Sequence, residues 1–177
     1  MPGMAHRRRP FDVGDPHPRP RQHPRRHPRG VLAATELGYT SILVSYRNTT
    51  EGPRAGAGRS TLGDTEMADV DEAIGYGFRR GARQTVFVGW STGAALVLDL
   101  PVLDWTARSA DLTTPTLILR GTRDESVPIQ LSQALRHARP DLVELESFDA
   151  GHTLSWNSDP DRWQEAVTTW LQARVPR

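Results

Sequence analysis

The stretch Val86-Phe87-Val88-Gly89-Trp90-Ser91-Thr92-Gly93-Ala94-Ala95 decides how this chain is read. It sets G-x-S-x-G between an apolar, β-rich run (84–89) and a small-residue run (92–98) that opens a helix, with Ser91 at the bend. Such a turn holds the serine in a strained backbone conformation with its hydroxyl above the sheet. Gly89 and Gly93 keep side chains out of the space where the turn doubles back. The Thr92 N–H lies at the helix N-terminus, where negative charge is favoured. At average glycine usage the bare pattern arises by chance in about one chain in twenty of this length, so its weight comes from the strand before it and the helix after it. Trp90 either lines a pocket beside the serine or packs against the adjacent helix. A glycine-rich turn without chemistry is the competing reading.

Two later segments bear on that choice. Residues 116–128, TLILRGTRDESVP, read as a strand running into a loop that presents Asp124. The acid stands just past the C-terminal edge of the strand, the side on which ligands meet α/β sheets. An acid in such a loop is also a common turn or N-cap residue, and Glu125 is its neighbouring rival. After the next strand (142–148), Ser147-Phe148-Asp149-Ala150-Gly151-His152-Thr153 presents His152 behind a glycine that permits a sharp turn. His137 is the one other histidine after residue 30, and it falls within a predicted helix (129–138) without matching context. Serine, then aspartate, then histidine is the chain order expected when an α/β fold uses the three together.

On these motifs residues 31–177 resemble the α/β-hydrolase superfamily, in particular its small esterase and serine-aminopeptidase-like members. VFVGWSTGAA resembles the nucleophile elbow, LILRGTRDESVP the acid loop and AGH the histidine loop. The resemblance implies that Ser91 attacks an acyl carbonyl, that His152 takes and returns the proton, and that Asp124 orients the imidazole. It implies the Thr92 N–H as an oxyanion donor and a small-molecule acyl substrate, and Trp90, beside the nucleophile, is a candidate for substrate contact. No metal and no organic cofactor are expected.

The chain also departs from that family. A second oxyanion N–H normally comes from a loop ahead of the first crossover helix, often marked His-Gly-x-x-Gly; that motif does not occur, and a Pro/Arg/His tract fills its place. Losing one such donor costs about 10²–10³ in turnover. The run 98–103 is a strand candidate that leaves no room for a full helix after the elbow, and 106–114 is too short to hold a substrate-covering cap. The expected architecture is therefore α/β: an incomplete α/β-hydrolase sheet, mostly parallel, of about four or five strands with flanking helices and no cap domain. A truncated, internally deleted or misannotated gene product is the expectation that follows. The alternative function is a catalytically impaired remnant acting at most as a binding or structural module.

The rest of the composition sets limits. There is no cysteine, which excludes a disulfide scaffold, a thiolate metal site and a thiol nucleophile. All 22 basic residues are arginine, so lysine-based chemistry is excluded as well. Eight of them lie before Val31 against two acids, in a segment with seven prolines. Residues 1–30 are expected to be a disordered tail, because they cannot bury enough apolar surface to offset ordering, and 31–177 a partial hydrolase domain. An arm for an anionic partner is the alternative reading of that tail; the absence of a stacking or base-reading motif weighs against nucleic acid. No run approaches the roughly 18 apolar residues of a membrane span, and no apolar segment follows the basic N-terminus, so a cytoplasmic protein is expected.

Between tail and elbow, 31–37 reads as a helix end with Gly38 as its C-cap, and 41–46 (SILVSY) as a buried parallel strand. Tyr46-Arg47-Asn48 either borders the site or makes a turn, and 48–63 is a loop. Asp64 or Thr65 is expected to cap a helix with Met67, Val70, Ile74 and Phe78 on one face. Residues 161–174 form a final amphipathic helix, and Trp105, Trp156, Trp163 and Trp170 are expected in the core or at its rim.

Overall fold

A computed structural model describes residues 29–49, 52–56, 58, 66–91, 93–94 and 108–175. The arginine-rich residues 1–28, the expected caps Asp64 and Thr65, Thr92, the run 98–103 and Trp105 lie outside the described residues. Helix α1 covers Arg29–Glu36 and α2 covers Met67–Arg79. After a 3-10 turn at Ser109–Asp111 come β1 (Thr116–Gly121), α3 (Ile129–Ala138), β2 (Val143–Phe148), α4 (Ser155–Ser158) and α5 (Pro160–Arg174).

The strands β1 and β2 pair in parallel, from Thr116 opposite Val143 to Gly121 opposite Phe148. A parallel pair needs a crossover, which α3 provides. The C-terminal helix is started by local chemistry: the Asp159 carboxylate accepts from the Arg162 N–H at 3.1 Å, and Pro160 sits where its missing N–H costs nothing. Its buried stripe of Trp163, Val167 and Leu171 follows the helical repeat. That stripe closes on Phe148, Ala150 and Ala33, so the core joins the end of β2, the turn beyond it, α5 and α1. Trp163, Trp156 and Trp170 thus lie in or against the core, and full burial of a large apolar side chain contributes about 1.5–3 kcal/mol.

Two parts of the sequence reading are corrected. The runs 41–46 and 84–89, expected as strands, carry no strand assignment, and the sheet among the described residues pairs β1 with β2. A strand is defined by the ladder its backbone joins, and apolar alternation alone does not create one. Ile42, Leu43, Val86, Phe87 and Val88 are correspondingly exposed. In α2, Val70 is buried but Phe78 is exposed, because Phe78 lies about 80° round the helix from Val70 and falls off the apolar stripe. Among the described residues, no helix is long and apolar enough to cross a membrane.

Candidate active site

Register brings two loops to one edge. Gly121 and Phe148 are partners at the ends of β1 and β2, so the loops that follow leave the sheet side by side. Pairing continues past the strands: Thr122 N–H donates to the Phe148 carbonyl at 2.8 Å and Arg123 N–H to the Ala150 carbonyl at 2.9 Å. Gly121 makes this approach possible, since a Cβ there would collide with the Ala150 carbonyl oxygen. Asp124 stands three residues beyond β1 and His152 four beyond β2, and Nδ1 of His152 lies 2.9 Å from Oδ2 of Asp124.

The Asp124 carboxylate is held on its other side as well. Its Oδ1 accepts from the Ser126 N–H at 2.9 Å and the Val127 N–H at 3.0 Å. Its side chain is 8% exposed. Burial is the largest single influence and pushes the carboxyl upward; hydrogen bonds from His152, Val127 and Ser126 together overcome it and hold the pKa below the ordinary aspartate value. An ionised carboxylate only accepts, so the imidazole Nδ1 carries the proton and Nε2 is left as an acceptor. Glu125, the rival acid, is exposed and has no such contact among the described residues.

The loop of Asp124 is fixed by an arginine that sequence reading did not single out. Arg120, 7% exposed near the end of β1, donates to the carbonyls of Gly121 (3.1 Å), Val127 (3.0 Å) and Pro128 (3.2 Å) and to the Ser132 hydroxyl (3.2 Å). It spans the loop from root to exit. Its position inside an otherwise aliphatic strand was the available signal, since a buried arginine must find partners.

Ser91 reaches the same place from a segment well before β1. Its φ is 52°, a left-handed conformation that a non-glycine residue rarely adopts. Helical hydrogen bonding starts at once, with Gly93 N–H donating to the Trp90 carbonyl and Ala94 N–H to the Ser91 carbonyl, both at 2.9 Å. Gly89 is required at the turn, because a Cβ there would strike the Gly93 carbonyl. The Ser91 hydroxyl is 3.0 Å from Nε2 of His152, so Ser91, His152 and Asp124 form one continuous hydrogen-bonded chain.

Of the other sequence candidates, Tyr46 keeps its hydroxyl beside the turn of Ser91, 3.5 Å from where a Cβ on Gly93 would stand. Trp90 stacks on Trp163 of α5 with ring centroids 6.2 Å apart. Tyr46-Arg47-Asn48 leads into a turn, with Asn48 at φ 63° and Arg47 bound to Asp69 by its backbone N–H and both ends of its guanidinium. Those bonds hold the Asp69 carboxyl below its ordinary pKa. His137 is exposed in α3. Among the described residues, no three histidine, aspartate or glutamate side chains gather as a metal-binding group.

Comparison with solved structures bears on the fold. The esterase Pf2001 of Pyrococcus furiosus superposes with a TM-score of 0.63 over 84% of this chain and 76% of its own, at 18% sequence identity. The two chains share a fold. No protein-family model matches the sequence, and no curated protein matches it.

Proposed function

We propose that the protein is a serine hydrolase that cleaves an ester or related acyl bond of a small molecule. The observation that carries this reading is the unbroken chain from Ser91 Oγ through the His152 imidazole to Asp124. Nε2 accepts the serine proton as Oγ attacks the acyl carbonyl, forming the Oγ–C bond of a tetrahedral intermediate. Collapse expels the alcohol or amine, which takes that proton from the imidazolium and leaves an acyl-enzyme; water activated by the same nitrogen then releases the acid. Asp124 keeps Nδ1 protonated and faces the positive charge that appears on the ring. The Thr92 N–H is the assigned oxyanion donor in this reading, and no metal or organic cofactor takes part.

The proposal includes the hydrolase family and a parallel sheet of about four or five strands. The shared fold with an esterase supports it. One observation favours the second reading, a catalytically impaired remnant: five apolar side chains of 42–43 and 86–88 stand exposed where a complete sheet would bury them. Labelling of the purified chain with a fluorophosphonate probe separates the two. Covalent labelling that Ser91→Ala abolishes supports the hydrolase; a folded protein that takes no label supports the remnant.

A further inference from the structure

The histidine loop carries an unusual backbone. Thr153, directly after His152, has φ 57°. A β-branched residue there is a true outlier, and such strain persists only where the surroundings impose it. The surroundings here include one side chain from the far end of the chain. Arg29, at the start of α1, donates from Nη1 to the Thr153 carbonyl at 3.0 Å and from Nη2 to Oδ1 of Asn157 at 2.7 Å. Its guanidinium also lies over the Trp156 ring, 5.0 Å from the centroid. Three contacts within five residues thus clamp the segment that leaves His152.

We propose that Arg29 is a positioning residue that holds the His152 imidazole in register with Ser91 by pinning the strained Thr153 peptide. The inference rests on the hydrolase reading for its catalytic consequence, and on geometry alone for its effect on the loop. The Thr153 carbonyl is the handle. Rotating that peptide out of the left-handed region swings the chain next to the imidazole, whereas the guanidinium fixes the carbonyl from one side and Asn157 and Trp156 fix the guanidinium from the other. A planar, forked donor suits this task, because one head group serves two acceptors and stacks on an indole. Helix α1 is anchored for the purpose by Ala33 in the core and by Gln164 of α5, whose amide donates to Glu36 at 2.9 Å. The arginine-rich N-terminal segment therefore contributes its last arginine to the site.

The test compares wild type, Arg29→Ala, Arg29→Lys and Asn157→Ala in the full chain. With p-nitrophenyl butyrate as probe, Arg29→Ala lowers kcat by about tenfold to a hundredfold, the scale expected of a misplaced catalytic group, with KM unchanged within about threefold. Arg29→Lys recovers part of the loss, since an ammonium reaches one acceptor well and not both. Amide hydrogen exchange is read in parallel and does not depend on turnover: exchange in 151–157 accelerates in Arg29→Ala while that of β1 and β2 does not. Unchanged exchange in 151–157 overturns the proposal, as does a kcat loss that merely tracks the folded fraction. Should Arg29→Ala unfold α1, Asn157→Ala carries the same readouts, and a silent Asn157→Ala overturns the proposal too. Absence of Ser91-dependent labelling in wild type defeats the hydrolase reading alone, and the exchange result then decides the clamp.

Discussion

Replacing Asp124 by asparagine tests the proposed chemistry at its most constrained point. The side chain is isosteric, but it has one accepting oxygen and one donating nitrogen where the carboxylate has two acceptors. The structure dictates how it must sit. Ser126 and Val127 present two N–H groups to Oδ1, so the amide oxygen turns to them and the NH2 faces His152. The imidazole then accepts at Nδ1, carries its proton on Nε2, and has no lone pair for the Ser91 hydroxyl. Flipping the amide to restore the working tautomer forfeits two backbone bonds at about 1 kcal/mol each. About 2 kcal/mol disfavours the competent form roughly 30-fold. The lost negative charge opposite the imidazolium adds to this, and in the well-studied serine triad the combined effect is about 10⁴. The rate of fluorophosphonate labelling in Asp124→Asn should therefore fall by at least about 30-fold and toward 10⁴, with circular dichroism unchanged. A rate within threefold of wild type would refute the assignment of Asp124 as the orienting acid.

Other outcomes follow from the same geometry. Gly121→Ala drives a methyl into the Ala150 carbonyl, and should cost about 3 kcal/mol or more in urea unfolding while separating Asp124 from His152. Trp163→Ala empties the centre of the core and removes the partner of Trp90, a loss of about 3–5 kcal/mol measurable by the same method. The lowered pKa of Asp124 makes a stabilising contribution that is complete above the unfolded value near 3.9 and disappears as pH falls through the lower folded value. Melting temperature should thus drop below about pH 4 in wild type, and the part of that drop due to this residue should vanish in Asp124→Asn.

The sequence was most legible where short-range chemistry decides structure. The strands around Ile118 and Leu145, the helices carrying Leu135 and Val167, and the loops presenting Asp124 and His152 all lie within one contiguous βαβα stretch, 116–174. There each element's partner is its sequence neighbour, so apolar periodicity and turn residues suffice. The runs 41–46 and 84–89 look equally strand-like, but a ladder requires a particular neighbour, and composition does not state whether one is present. The roles of Arg29 and Arg120 are not legible in the sequence for a related reason. Arg29 acts across 124 residues, beyond the reach of any local pattern, and Arg120 resembles a surface residue until its burial is known.

The buried Arg120 has a consequence for behaviour in acid. Among the described residues, every partner it grips is a peptide carbonyl or a hydroxyl and none is a carboxylate. Neither a guanidinium nor those groups change protonation over the range in which proteins ordinarily work. The bracket around the acid loop is therefore indifferent to pH, although the carboxylate it displays is not. On acidification Asp124 gains a proton, whereas none of the groups that the Arg120 guanidinium holds around the loop protonates with it.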